Sequence, residues 1–362
     1  MAGPFLEFRA GRKAYELIRD GGLDPDQVRV IPGAAGGPKW FVLRHLDQAI
    51  FGSWLRKRAN PIFLLGSSIG SWRFAAVTQR DPDQAMAAFQ EAYTHQYYTK
   101  KPSAEQVSAV GRSVLDRFLS DSGVEEILSH PYLRLNLMAV RCRFPVSGEG
   151  AASLSPGLIA AFLANGINRR FLSWFFERAL FFDPRDTPPF YDMSGFPLRR
   201  IPLSRENLKP ALLASGAIPL VMRGVSGIPG APPGVYRDGG LIDYHLDIPF
   251  LKDGPGIVLY PHYAGRIVSG WFDKNWTSRK PSPRHMESVL LLSPSSDFVK
   301  RLPFQKIPDR TDFKTFFGRD PERIAYWTTV ADQSRILGEA FLDAVASGRI
   351  REQVKPLMED PF

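Results

Sequence analysis

Two short apolar runs near the start of the chain are each followed by a loop of small residues and then by a helical pattern. The first run is residues 28–32 (VRVIP), followed by the loop 33–37 (GAAGG). The second is residues 61–65 (PIFLL), followed by the turn 66–70 (GSSIG). Apolar runs of this length bounded by glycine are typical of strands buried inside a sheet, and the following helix carries the chain back across it. The repetition therefore predicts an α/β chain with a mostly parallel central sheet covered by helices.

The rest of the chain continues this alternation and shows no internal repeat or low-complexity tract. Periodicity predicts helices over residues 39–51, from 69 onward, and over 82–97, 104–119, 155–182, 205–214 and 323–345. It predicts further strands over residues 132–144, 198–202, 234–237, 257–260 and 287–292. Because no composition shift marks a boundary, the sequence predicts one elaborated domain over residues 1–362.

The charge and the cysteine count limit the partners and cofactors of the chain. It has 46 basic and 37 acidic residues, a net charge of +9, which favours an anionic membrane surface, a phosphorylated substrate or nucleic acid. No nucleic-acid-binding signature accompanies the charge, so nucleic acid is not an expected partner. The single cysteine, Cys142, excludes an internal disulfide bond and a cysteine-built zinc site. The six histidines lack metal-binding spacing, so neither a metal nor another cofactor is expected.

The distribution of apolar residues predicts a cytoplasmic chain. Residues 1–22 lack the continuous apolar core of a signal peptide. The most apolar stretch, residues 154–182, is interrupted by Asn165, Arg169 and Arg170 before it reaches the length that crosses a bilayer. Peripheral contact with an anionic membrane is compatible with this pattern and with the basic charge.

The turn after the second apolar run has the form G-x-S-x-G, with Ser68 at its centre. A nucleophile elbow needs a turn between strand and helix so sharp that its serine is presented at the end of the sheet. Gly66 and Gly70 suit such a turn because a Cβ at either position would collide with the neighbouring strand or helix. The simpler alternative is a glycine turn with a serine helix cap. The strand before it and the helix after it favour the elbow, with Ser68 as nucleophile.

The loop after the first strand is a candidate oxyanion hole. Its small residues allow backbone N–H groups to approach a ligand, and the candidate donors are Ala35, Gly36 and Gly37 because Pro38 has no N–H. A phosphate-binding P-loop does not fit, since Pro38 separates the glycine from Lys39 and no hydroxyl residue follows. Lys39 could stiffen the loop, attract a phosphate headgroup or simply be solvated. An ordinary turn between strand and helix is the remaining alternative.

The segment 236–240 (YRDGG) places Asp238 at a strand end, followed by Gly239 and Gly240. An aspartate in this position can reach into a site while the backbone turns away beneath it. It could serve as a general base if burial raised its proton affinity. A hairpin turn is the commoner explanation of an Asp-Gly pair.

Together these segments resemble the patatin-like phospholipase family, whose pattern is a glycine-rich oxyanion loop, then G-x-S-x-G, then D-G-[GA]. The resemblance includes residues 213–219 (LASGAIP), similar to the family's A-S-x-x-x-P block, and the D-G-G-L-x-D run at 238–243. It covers residues 28–250, with 251–362 expected as an extension packed on that core. The loop departs from the family pattern, because Ala34 and Ala35 replace its opening and Trp40 its final glycine.

The resemblance implies a three-layer α/β/α fold and a serine esterase or lipid acyl hydrolase that cleaves carboxylic ester bonds in lipid substrates. Ser68 would match the nucleophile and Asp238 the base of a catalytic dyad, with Ala35, Gly36 and Gly37 at the oxyanion hole. Three alternatives stay open: a Ser–Asp–His triad that uses His262 or His285, a catalytically silent lipid-binding protein, and an acyltransferase that uses the same dyad.

Two aromatic segments are candidates for contact with lipid. Residues 171–182 (FLSWFFERALFF) are expected to form a core helix, or alternatively a lip around an acyl pocket or a patch that enters a lipid interface. Residues 270–284 combine two tryptophans with four cations, as suits an anionic bilayer surface, although a solvated loop is the commoner role.

Overall fold

The backbone is organised around one ten-stranded sheet flanked by helices. The computed structural model describes residues 5–56, 60–98, 100–252 and 254–358; the ends of the predicted domain, 1–4 and 359–362, lie outside the described residues. The strands are β1 Leu6–Ala10, β2 Val28–Gly33, β3 Ile62–Ser67, β4 Leu133–Cys142, β5 Phe176–Phe182, β6 Leu198–Pro202, β7 Val235–Asp238, β8 Ile257–Pro261, β9 Val289–Pro294 and β10 Lys355–Pro356.

The helices occupy the connections between these strands. They are α1 Arg12–Gly21, α2 Arg44–Asp47, α3 Ile69–Val77, α4 Pro82–Thr94, α5 Ala104–Phe118, α6 Asp121–Ser129, α7 Ala151–Ile167, α8 Leu208–Gly216, α9 Pro283–Met286, α10 Ser296–Arg301, α11 Asp312–Thr315, α12 Asp320–Gln333, α13 Arg335–Ala346 and α14 Ile350–Gln353. Short 3₁₀ turns cover Pro25–Gln27, Gly37–Leu43, Arg169–Trp174, Gly239–Leu241, Trp271–Asp273 and Pro303–Gln305, and a π-helical turn covers Gln48–Trp54.

The strand order is β10-β1-β9-β8-β2-β3-β4-β5-β6, with β7 paired to β4. The central pairs β8–β2, β2–β3 and β3–β4 are parallel, whereas β1–β9, β4–β5 and β4–β7 are antiparallel. The predicted fold class, α/β with a mostly parallel sheet between layers of helices, is therefore confirmed.

The segment after residue 250 is part of the sheet rather than an addition to its outside. Strand β8 pairs with β2, and β9 pairs with both β8 and β1. The expected boundary near residue 250 therefore does not coincide with an edge of the sheet, and the single domain over residues 1–362 stays a prediction. Local pattern could not place these strands, because which strand neighbours which is decided by tertiary packing.

The helix predicted over residues 155–182 is wrong in its last part. The helix ends at Ile167, a 3₁₀ turn follows, and Phe176–Phe182 forms strand β5 between β4 and β6. A strand buried on both faces reads as a continuous apolar run, which periodicity alone cannot distinguish from a core helix. None of the residues 171–182 lines the large cavity described below, so this segment is not a lip around it.

Two other helix predictions need smaller corrections. Residues 323–345 belong to two helices that meet at Ser334 instead of one long helix. Residues 39–51 are helical throughout but change from 3₁₀ to α to π geometry along their length.

Candidate active site

Ser68 lies at the sharp turn between strand β3 and helix α3, with φ 54° and ψ −125°. A positive φ is strained for a residue with a side chain, and surrounding packing must hold it there. A Cβ on Gly66 would lie 2.4 Å from the Ser71 nitrogen, and one on Gly70 would lie 2.1 Å from the Gly33 carbonyl oxygen. Only glycine fits at these two positions, so the G-x-S-x-G string specifies this turn.

Sheet register brings Asp238 to the same place. Strands β3 and β7 both pair with β4 and run towards each other along one of its edges, since β5 occupies the other. In this register Met138 is opposite Ser67, and the next residue, Ala139, is opposite Asp238. The end of each strand therefore delivers its side chain to one point, although 170 residues separate Ser68 from Asp238.

The two side chains form a buried hydrogen-bonded pair. The Ser68 Oγ–H donates to Asp238 Oδ2 at 2.7 Å, and the Gly240 N–H donates to Asp238 Oδ1 at 2.7 Å. The side chains are nearly inaccessible to solvent, because Ser68 is 3% and Asp238 5% exposed. This arrangement fixes the carboxylate and aims one of its oxygens at the hydroxyl.

Ser215 supports the turn at Ser68 through hydrogen bonds of its hydroxyl. The Ser68 N–H donates to Ser215 Oγ at 2.9 Å, and the Ser215 hydroxyl donates to the Met138 carbonyl oxygen at 2.6 Å. Ser71 Oγ lies 2.9 Å from Ser215 Oγ. Ser215 belongs to the block at 213–219, for which the sequence suggested no physical role; its hydroxyl ties the turn to strand β4.

Burial and one arginine act on Asp238 in opposite directions. Burial raises the pKa of the Asp238 carboxyl above its usual value, whereas the Arg310 guanidinium and the hydrogen bond from Ser68 lower it. Arg310 Nη2 lies 3.7 Å from Asp238 Oδ2. A buried aspartate of increased proton affinity is a better general base than an exposed one.

The glycine loop lies beside this pair, and one of its three predicted donors is already engaged. The Ala35 N–H donates to the Tyr244 carbonyl oxygen at 2.9 Å. The prediction that Ala35 is an oxyanion donor is therefore corrected, because its N–H is engaged in this conformation. Gly37, with φ +57°, lines the same cavity as Ser68. Gly36 and Gly37 remain the candidate donors of the loop.

Residues from the segment after 240 support that loop from behind. The Val268 N–H donates to His245 Nδ1 at 2.9 Å, which leaves the proton on His245 Nε2 to be donated to Tyr263 Oη at 2.7 Å. The Tyr263 hydroxyl in turn donates to the Ala35 carbonyl oxygen at 2.5 Å. Burial keeps the pKa of His245 well below its usual value, so this histidine is neutral.

Lys39 belongs to this support and not to the reacting pair. Its Nζ lies 4.8 Å from the centre of the Tyr263 ring, a cation–π contact. Burial lowers its pKa, and the nearby Asp309 carboxylate opposes that effect. Of its three suggested roles, stiffening of the loop agrees best with this contact.

A cavity of about 940 Å³ opens directly above Ser68. This volume falls within the range of pockets that enclose a small ligand. Gly37, Tyr93 and Arg310 border it near the serine. The remaining wall is largely apolar and includes Ile69, Trp72, Val107, Val114, Ile218, Leu220, Val221, Met222, Phe313 and Phe317.

The two histidines of the alternative triad lie elsewhere. His262 is fully buried and accepts a hydrogen bond from the Ala264 N–H, and burial lowers its pKa to about 3. The ring nitrogen Nδ1 of His285 lies 2.8 Å from Asp247 Oδ1. Within the described part of the chain, neither histidine contacts Ser68 or Asp238.

The D-G-G-L-x-D run has a structural function beyond Asp238. A Cβ on Gly239 would lie 2.4 Å from the Met138 carbonyl oxygen, and one on Gly240 would lie 2.9 Å from Asp238 Oδ1. Asp243 forms a buried bidentate ion pair with Arg178 of strand β5, at 2.7 and 2.8 Å. The run thus fixes the turn after Asp238 to the sheet.

Sequence reasoning missed Arg310, Tyr263 and the role of His245. Arg310 and Tyr263 reach the site through tertiary folding from a remote part of the chain, and His245, although only seven residues after Asp238, carries no motif that marks it as support for the glycine loop. Among the described residues, no group of three or more histidine, cysteine, aspartate or glutamate side chains could hold a metal ion.

The geometry defines a class of site: a buried serine–aspartate pair at converging strand ends of an α/β sheet, beside an apolar cavity. No protein-family model matches the chain, and no curated protein matches its sequence. Among solved structures, it is similar to human GIVD cytosolic phospholipase A2, at 12% identity and a TM-score of 0.41. That match covers 94% of this chain and 62% of the other, so the chain spans less than two thirds of that neighbour's length. So distant a likeness assigns neither a substrate nor the role of any residue.

Proposed function

We propose that this chain is a serine esterase that hydrolyses acyl esters of lipids through a Ser68–Asp238 dyad. The observation that carries the proposal is the 2.7 Å hydrogen bond from Ser68 Oγ to the buried Asp238 carboxylate, at the base of an apolar cavity. A serine hydroxyl is a weak nucleophile unless an adjacent base accepts its proton, and Asp238 is in position to do so.

In the proposed reaction, Ser68 Oγ attacks the ester carbonyl carbon while its proton passes to Asp238. The N–H groups of Gly36 and Gly37, with that of Ile69 at the start of helix α3, would stabilise the oxyanion. Protonated Asp238 then returns its proton to the leaving alkoxide, and the alcohol departs. Water attacks the acyl-enzyme, again with Asp238 as base, which releases the fatty acid and restores Ser68.

The cavity supports a substrate with a long apolar acyl group. Its wall offers apolar contact from Trp72, Met222 and Phe313, among other residues, and Ser68 lies in the same wall. Burial of each additional methylene contributes about 0.8 kcal/mol to binding. The resemblance to patatin-like phospholipases favours phospholipids among such substrates.

Turnover of a series of esters with increasing acyl length tests the proposal. We expect kcat/KM to rise with chain length until the cavity is filled. Ser68→Ala should reduce kcat by about 10⁴- to 10⁶-fold, as loss of the nucleophile does in other serine hydrolases. Ser67→Ala is the matched control, since it removes the hydroxyl of a fully buried neighbour and should preserve turnover.

Other outcomes separate the alternatives. Equal turnover by wild type and Ser68→Ala would contradict the dyad. Folded wild-type protein that binds lipid without any turnover would indicate the silent binding protein. New esters that form when an alcohol is added, at the expense of free fatty acid, would indicate acyl transfer.

A further inference from the structure

Helix α7 presents an apolar and uncharged face to solvent. Its 17 residues (AASLSPGLIAAFLANGI) contain no charged side chain. Ile159, Leu163 and Ile167 follow one another at every fourth position, so they form one stripe, and they are 60%, 61% and 80% exposed. Phe162, 45% exposed, widens this stripe. Contiguous apolar surface of this kind marks an interaction site more often than isolated exposed residues do.

The opposite side of the helix already has its packing partners. Leu154, Leu158 and Ala161 belong to a buried cluster that also includes Leu241 and Ile242, just after the Asp238 turn. The Asn165 side-chain amide donates to Asp273 Oδ1 at 2.8 Å, which ties the end of the helix to the segment 270–284. The helix is therefore held in place by its inner side, which leaves the outer stripe exposed.

Tryptophans and an exposed arginine accompany the stripe. Trp174 and Trp271 are 61% and 40% exposed, and the ring of Trp276 lies 5.7 Å from that of Phe162. Arg170, directly after the helix, is exposed, and residues 151–174 contain no acidic side chain. The described segment 270–284 contains one acidic residue, Asp273, which is buried and forms an ion pair with Arg279. Apolar side chains bordered by tryptophan and arginine are the pattern of surfaces that lie in a lipid headgroup region.

We infer that this α7 face, formed by Ile159, Phe162, Leu163, Ile167 and Trp174, docks on an anionic lipid bilayer. Charge complementarity favours a bilayer, because residues 151–174 carry two arginines and no acidic side chain, and the net charge is +9. In the described part of the chain, no helix has the length and apolar character to cross a membrane. The helix would therefore lie in the plane of the interface, with its stripe among the headgroups and upper acyl chains.

Ring contacts connect the α7 face with a residue near the candidate active site. Trp271 borders a small crevice together with Asp238, Gly240 and Arg310. Its ring also contacts that of Phe272, which in turn contacts Phe162 of the α7 face. The inference itself does not depend on the proposed reaction.

Flotation with vesicles of phosphatidylcholine containing phosphatidylglycerol tests the inference without any measurement of activity. We expect wild type to float with these vesicles and to bind at least about tenfold less to pure phosphatidylcholine. The double substitution Ile159→Glu/Leu163→Glu should reduce binding to the anionic vesicles by about tenfold or more. Ala109→Glu/Ser113→Glu is the matched control, since it places the same i,i+4 glutamate pair on exposed positions of helix α5 and should leave binding unchanged.

Three results would overturn the inference: no binding of wild type to anionic vesicles, equal loss in both glutamate pairs, or equal binding to neutral vesicles. Sedimentation velocity without lipid tests the alternative that the α7 face binds a second copy of this chain. A dimer that Ile159→Glu/Leu163→Glu dissociates would replace the bilayer by self-association. If that variant fails to fold, Ile167→Ser at the most exposed position of the stripe should still weaken vesicle binding.

Discussion

The two halves of the candidate site are built in different ways. Ser68 and Asp238 stand at the ends of two strands that share one edge of β4, and short local motifs specify both turns. The glycine loop, in contrast, is held by Tyr263 and His245 from behind and faces Arg310 from in front. The reacting pair thus depends on sheet register, whereas the loop depends on side chains that arrive from the last third of the chain.

This difference suggests that the two halves of the site have separate functions. The strand-end half fixes the distance between nucleophile and base, and a rigid sheet does this well. The loop half sets the position of the candidate oxyanion donors and the electric field at Asp238. Substitutions in the loop half should therefore change the rate and the pH dependence without removing the nucleophile.

The largest expected effect in the loop half concerns Arg310 and the pH profile. Its positive charge stabilises ionised Asp238, so Arg310→Gln should raise the pKa of that carboxyl. The proposed base must be ionised to accept a proton, so activity on the acid side should be lost at a higher pH than in wild type. The pH dependence of kcat/KM measures this shift, since it reports the ionisation of the free enzyme.

Arg310→Lys is the matched control, because it keeps the charge and should leave the acid limb near its wild-type position. An acid limb that Arg310→Gln leaves in place, or moves to lower pH, would show that Arg310 does not act on the proposed base.

A smaller effect is expected from Tyr263→Phe, which removes the hydroxyl between His245 and the Ala35 carbonyl oxygen. Two buried polar groups lose their partner, so unfolding free energy should fall by about 1–3 kcal/mol. Because the loop amides would act mainly on the transition state, kcat should decrease while KM changes little. Steady-state kinetics and thermal melting measure the two effects.

Tyr260→Phe provides the comparison. It removes another buried tyrosine hydroxyl from the same cluster, one that donates to the His245 carbonyl oxygen instead of the loop. If Tyr260→Phe lowers stability by a similar amount but preserves kcat, the loss of kcat in Tyr263→Phe comes from the loop. Equal losses of kcat in both variants would show that Tyr263 has only a general structural role.

The same difference between local motifs and tertiary contacts explains which site residues the sequence could predict. Ser68 and Asp238 were recognisable because their turns need glycines at fixed offsets, and those glycines leave a local pattern. Arg310 and Tyr263 left none, since their positions follow from packing between remote segments. Ala35 was a reasonable oxyanion candidate by composition, but only the structure shows its N–H bonded to the Tyr244 carbonyl oxygen.

The fold divides similarly into predictable and unpredictable parts. Strands β2 and β3 were predicted near their observed positions because each is an apolar run bounded by turn residues, and β4 because its sequence alternates like a strand. Strand β5 was mistaken for helix because both of its faces are buried, so its apolar residues show no alternation. Strand β1, near the start of the chain, was not predicted, and it is completed only by pairing with β9 and β10.

Labelling with a fluorophosphonate, followed by intact-mass and peptide mapping, tests whether Asp238 activates Ser68. The reagent phosphonylates an activated serine hydroxyl with loss of fluoride. If Asp238 is the base, we expect one adduct on Ser68 in the wild type and none in folded Asp238→Asn within the same time. An adduct on a different serine, or labelling of Asp238→Asn at the wild-type rate, would contradict it.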